Sequence, residues 1–138
     1  MHSRRAPVAL ALLVVVLGCG SGAAVAATST LPVVHASEGR DGGKVTLRRG
    51  QTLQVVLHST YWRFKAPSTA GVLRLAGKPV VTPKPGCVPG QGCGTVTVTY
   101  VARAIGSAAV AASRTSCGEA LRCTPAAGSY KLTVAVLR

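Results

Sequence analysis

The side chains able to do chemistry are few, and their placement excludes most of it. The 138 residues hold three carboxylates, Glu38, Asp41 and Glu119. The first two lie in or beside a segment of small residues, so no carboxylate pair is available for acid–base work. His58 precedes Ser59, which suggests nucleophilic catalysis. Adjacent residues on a strand point to opposite faces, however, and no acid is in view to orient the imidazole, so His58 is expected to be solvated. His2 belongs to an N-terminal leader and His35 to the same small-residue segment, so no metal site is expected. The chain reads as neither an enzyme nor a cofactor protein.

Cysteine is the remaining reactive type. Four of the five cysteines form two pairs, Cys87 and Cys93 in CVPGQGC and Cys117 and Cys123 in CGEALRC, each with five residues between. Zinc ligands normally stand two to four residues apart, which disfavours a four-Cys metal site. An even count at matched spacing in an exported chain reads as two local disulfides.

Export itself is read from the N-terminus. Arg4 and Arg5 precede VALALLVVVLG, the basic and apolar regions of a signal peptide over residues 1–18, too short for a permanent span. VLGC, ending at Cys19, resembles the lipobox of bacterial lipoproteins, in which that cysteine carries the lipid. Leu17 is an unusual occupant of its position, and Ala24-Val25-Ala26 offers an ordinary secretion site. The expected location is extracytoplasmic, either anchored to the cell membrane through Cys19 or secreted.

Without Arg4 and Arg5, 14 basic residues face 3 acidic ones, a balance of +11. Arginine outnumbers lysine 11 to 5 among abundant Ala, Val and Gly, which resembles exported proteins of high-GC actinobacteria. Such a surface attracts anionic lipid headgroups, an anionic envelope component or an acidic protein, and it also serves solubility. Nucleic acid is not an expected partner, because no reader helix or aromatic platform is present.

The elements that must position these residues read as strands. Gly, Ala, Ser and Thr dominate residues 19–43, taken as a flexible tether. Residues 44–138 suffice for one small core. Period-two alternation sets Val45 with Leu47, Leu53 with Val55 and Leu57, and Val96 with Val98, Tyr100 and Ala102. It also aligns Ala108, Val110 and Ala112, and, at the end of the chain, Tyr130, Leu132, Val134 and Val136. Six to seven short strands with turn residues between them imply an all-β, antiparallel immunoglobulin-like sandwich. One helical turn is expected in SCGEALRC, where Ser116 and Glu119 have capping-box spacing.

The stretch VLHSTYWRF holds the chain's one Trp and one Phe. A lone Trp in a small sandwich is usually core, so Trp62 and Phe64 are expected to fill the interior. Tyr61, Arg63 and Lys65 would then form an exposed aromatic–cationic edge. If the segment is instead a contact loop, Trp62 joins that edge.

GQTLQVVLHSTYW, GCGTVTVTYVARAIGSAAVAASRTS and GSYKLTVAVLR occur in an order that resembles chagasin-like cysteine-protease inhibitors. That family is an immunoglobulin-like sandwich whose three loops at one end block the cleft of papain-type proteases. The resemblance puts Ser59, Thr60, Tyr61 and Trp62 in the first loop, without the family's Asn-Pro and loop Gly. It puts Gly90, Gly92 and Gly94 in the glycine-rich second loop. Arg114 falls in the third, without the family's Pro and Trp. The implied partner is a cysteine protease. The competing reading is an envelope-associated structural or binding module with a basic surface and no inhibitory activity.

Overall fold

A computed structural model describes residues 30–138; the segment expected to be a signal peptide, and Cys19, lie outside them. Eleven strands and one 3-10 turn follow in chain order. They are β1 (Val34–Ala36), the turn Glu38–Arg40, β2 (Lys44–Arg48), β3 (Thr52–His58), β4 (Arg63–Phe64), β5 (Leu73–Leu75) and β6 (Val80–Pro83). Then come β7 (Gly94–Ala102), β8 (Gly106–Ser113), β9 (Ser116–Gly118), β10 (Leu121–Arg122) and β11 (Ser129–Leu137).

Two sheets pack face to face. One runs β1-β3-β7, with β5 and β6 side by side along the far edge of β7; the other runs β2-β11-β8-β4. The long central pairs are antiparallel, with Val55 opposite Val98 and Leu132 opposite Val110. The outer strands depart from the all-antiparallel expectation. β1 lies parallel to β3, and β2 parallel to β11. A strand entering from a distant part of the chain is free to join an edge in either direction, which local alternation does not reveal.

The alternation itself is reproduced. Leu53, Val55, Leu57, Val96, Val98, Tyr100, Val110, Leu132, Val134 and Val136 are all buried between the sheets. A register slip of one residue would exchange these for Thr and Lys, so the apolar face fixes the pairing.

Two expectations are corrected. Residues 34–40, expected within the tether, belong to the sandwich: His35 sits within β1, Ala36 is buried, and the 3-10 turn closes against β3. Low hydrophobicity suggested a tether, but a three-residue edge strand needs only one inward side chain, and Ala36 supplies it. The SCGEALRC helical turn is absent. Ser116–Gly118 and Leu121–Arg122 form a small hairpin, and the Ser116 hydroxyl donates to the Gly118 carbonyl (3.0 Å). The disulfide brackets a hairpin as readily as a helical turn, so capping-box spacing alone could not discriminate them.

Candidate functional site

Three connections converge at one end of the sandwich, because β3 and β8 finish there while β4, β7 and β11 start there. The first runs over 59–62, the second over 84–93 and the third over 114–128.

The first and second loops are fastened by backbone and side chain together. Ser59 N donates to Gly94 O and Thr60 N to Gly92 O, both at 2.8 Å, which prolongs the β3–β7 ladder beyond its last strand pair. Ser59 holds φ at 107°, an unusual value for a residue with a Cβ, and its hydroxyl accepts from Tyr61 N (3.2 Å). The chain then turns so that the Tyr61 ring lies across the second loop, where its hydroxyl donates to Gly90 O (2.7 Å).

Glycine is required at two of these contacts. A Cβ on Gly92 would come within 2.3 Å of the Tyr61 ring, and one on Gly94 within 2.2 Å of the Thr82 carbonyl. Both residues also have positive φ. The glycine-rich character of GQGCGT thus has a packing cause: the loop must pass under an aromatic ring and beside a strand. A disulfide between Cys87 and Cys93 closes the same loop, as the spacing implied.

The third loop is fastened to the first through Trp62. This indole is 3% exposed, and its Nε1 donates to His58 O (2.9 Å). The Arg114 guanidinium covers the ring face at 4.5 Å from the centroid, with Nε donating to Ala127 O (3.1 Å). The second disulfide, Cys117–Cys123, closes the hairpin. Glu119 lies beside Gly90, so the second and third loops also touch.

The structure therefore brings Ser59, Thr60, Tyr61, Gly90, Gly92, Gly94 and Arg114 to one end, but sorts them. Trp62, expected among the loop contacts by the resemblance, is interior and braces the first loop. Phe64, expected in the interior, is only partly buried against the core; Arg63 and Lys65 are exposed as expected, whereas Tyr61 is half-buried over the second loop. An open groove of about 540 Å³ between Tyr61, Val81, Pro83, Val88 and Gly90 adds apolar surface that the sequence reading did not single out. Its signal was the interleaved Pro and Val of PVVTPKPGCVPG, ordinarily read as turn punctuation.

His58 is exposed, as expected, yet it has an acid partner. Glu38 reaches across from the 3-10 turn to His58 N, and its other oxygen lies 3.1 Å from His58 Nδ1. Burial works to raise the Glu38 carboxyl, but hydrogen bonds from the His58 backbone and ring and the nearby imidazole outweigh it. The pKa falls below the ordinary carboxylate value. The contact is invisible in the sequence because Glu38 lies in a stretch that reads as a tether. Ser59 takes no part in it, and among the described residues no cluster of His, Cys, Asp or Glu could hold a metal ion.

No family model matches the chain, and no curated protein matches it in sequence. Its fold does match solved structures. The crystal structure of the cysteine protease inhibitor EhICP2 from Entamoeba histolytica is similar over 76% of this chain and 95% of that one, with TM-score 0.55 and 9% identity. The solution structure of amebosin is similar over 77% of this chain and 99% of that one, with TM-score 0.54 and 14% identity. The sandwich implied by the resemblance to chagasin-like inhibitors is therefore the fold of this chain.

Proposed function

We propose that this chain is an exported inhibitor of papain-type cysteine proteases that acts through the loop end of its sandwich and is anchored to the membrane through a lipid on Cys19. The observation that carries the reading is the cross-bracing of three loops at one end. Tyr61 joins the first to the second, and Arg114 over Trp62 joins the first to the third. A rigid wedge loses little conformational freedom on entering a cleft, so more of its contact energy appears as affinity. The cysteine protease inhibitor EhICP2 shares the fold.

The partner contact falls on Thr60, Tyr61 and the exposed second loop from Val88 to Gly92. These would lie across the protease cleft, their backbone groups offering hydrogen bonds and the Tyr61–Val88 groove apolar area. Gly90 holds φ at 88°, a left-handed value that favours glycine in this loop. Arg114 and Trp62 hold this surface from behind.

A titration of papain with the purified protein tests the proposal. The expected result is reversible, competitive inhibition that saturates at one inhibitor per enzyme. Absence of inhibition at micromolar concentrations, for papain and for cathepsin-type relatives, would sink it. The second reading, an envelope-associated module without inhibitory activity, draws on one observation: the interior position of Trp62 removes an aromatic contact from a first loop already lacking Asn-Pro. The anchor is tested separately. Mass spectrometry should find a lipid-modified N-terminus at Cys19, whereas an unmodified N-terminus at Ala27 or Thr28 would mean ordinary secretion.

A further inference from the structure

The end of the sandwich opposite the loops has its own chemistry. Here β2 turns into β3, β7 turns into β8, and β11 finishes. Arg49 N donates to Leu137 O (3.0 Å) and Gly50 N to Ala102 O (2.8 Å), so these pieces form one continuous surface. Arg48, Arg49, Arg103 and Arg138 all lie on it and are exposed. Ile105 and Leu137 stand among them at 53% and 54% exposure.

No acidic side chain of the described residues reaches this end. Glu38 binds His58, Asp41 accepts from Lys131 N and Glu119 lies beside Gly90, all in the loop half. Among the described residues the one acid–base contact at salt-bridge distance is His58–Glu38, so the side chains of these four arginines have no acidic partner. The incoming chain is pinned here as well. Gln51, the one buried polar residue among those described, accepts from Arg48 N (3.0 Å) and donates to Pro32 O (2.9 Å). The described chain therefore enters the sandwich at this pole.

We infer that this arginine–aliphatic end docks on the surface of an anionic phospholipid bilayer, which leaves the loop end facing away from the membrane. Arginines attract acidic headgroups, each contributing about fivefold to partitioning near an anionic surface. Ile105 and Leu137 can enter the headgroup boundary, a contact that a soluble polyanion does not reward. The inference is independent of protease inhibition and of lipidation at Cys19.

Sedimentation of the full chain with vesicles of phosphatidylglycerol and phosphatidylcholine, beside pure phosphatidylcholine vesicles, provides the test. The pure vesicles report binding that does not depend on anionic headgroups. Excess binding to the anionic vesicles is expected, and R49E/R138E should lower that excess at least about tenfold. K84E/R122E makes the same charge change at the loop end and should leave most of the excess intact. Equal losses from the two double variants would mean net charge and not this face, and would overturn the inference. I105S/L137S should also weaken binding to anionic vesicles. If it has no effect, the surface binds anions without a bilayer, and the lipid assignment is wrong. Circular dichroism checks that each variant is folded.

Discussion

The Arg114 guanidinium stacks on the Trp62 ring at 4.5 Å from its centroid, and both side chains direct hydrogen bonds to one acceptor, the His58 carbonyl. One cation therefore couples the third loop to the first from the inner side. A partly desolvated cation–π contact contributes about 1–2 kcal/mol. Arg114→Ala is expected to lower stability by about that amount and to loosen residues 114–128, read by faster amide exchange there. Arg114→Lys should recover little, because an ammonium cannot stack as a plane while donating to both His58 and Ala127. Full recovery by lysine would show that charge alone matters.

Gly92 and Tyr61 form the other hinge of the loop end. A methyl group at position 92 would overlap the ring at 2.3 Å, and the residue's φ of 66° adds strain for any side chain. Gly92→Ala should cost about 1–3 kcal/mol and turn the Tyr61 ring away from Gly90. Tyr61→Phe keeps the packing and removes only one hydrogen bond, worth about 1 kcal/mol. Denaturant melts of the two variants should rank in that order, and the reverse ranking would mean that the ring does not cover Gly92.

Much of this architecture was legible because it rests on period two. Val96, Val98 and Tyr100 alternate with threonines, and that pattern admits one inward face. What the sequence hid depends on contacts between distant segments. Ala36 and Glu38 sit in a stretch too small and polar to announce a strand, yet sheet pairing and His58 order them. Ser116 and Glu119 satisfied a local helix signal that the left-handed Ala120, φ 54°, converts into a hairpin turn. The loop candidates came from strand order, whereas their sorting into contact and support depended on burial, which spacing at the end of a strand does not fix.

Two buried tyrosines predict behaviour at high pH. The Tyr100 and Tyr130 hydroxyls are enclosed without hydrogen-bond partners. Burial, and then the charges of Asp41 and Glu38, push the Tyr130 phenol up to about 12, and burial together with Tyr130 raises Tyr100 further. A raised folded pKa means that stability is fully present below the unfolded value near 10 and is lost as pH climbs towards the folded one. The protein should therefore weaken progressively above pH 10. Tyr130→Phe removes an unsatisfied group and should be neutral or stabilising at pH 7, with a shallower alkaline loss. A destabilisation above about 1 kcal/mol would reveal a hydroxyl partner.

Glu38 governs the acid limb in the opposite sense. Its folded pKa lies below its ordinary value of 4.5, so its stabilising contribution is present above that pH and disappears as pH falls through the folded value. Glu38→Gln should flatten the stability profile below about pH 4.5 and release the 3-10 turn from β3. Thermal melts between pH 3 and 7 measure this, and parallel acid limbs for variant and parent would exclude the carboxylate as the cause.

The loop end separates support from contact most sharply at two adjacent residues. Trp62 is 3% exposed and fills the space between first loop and core, so Trp62→Ala should cost about 3–5 kcal/mol. Tyr61 is half-buried over the second loop, and Tyr61→Ala should cost no more than about 2 kcal/mol, the loss of one hydrogen bond and part of an aromatic contact. Inhibition should follow a different order. With each variant held well below its unfolding midpoint, Tyr61→Ala removes a surface contact and should weaken papain inhibition at least about tenfold. Trp62→Ala, once folded, should act only through looser loops, and added osmolyte that restores its stability should recover most of its inhibition. Unaltered inhibition by Tyr61→Ala would move the contact surface to the second loop alone. Loss of inhibition at Trp62 that osmolyte leaves unchanged would instead mean that the indole swings out to meet the protease, contrary to its burial in the free protein.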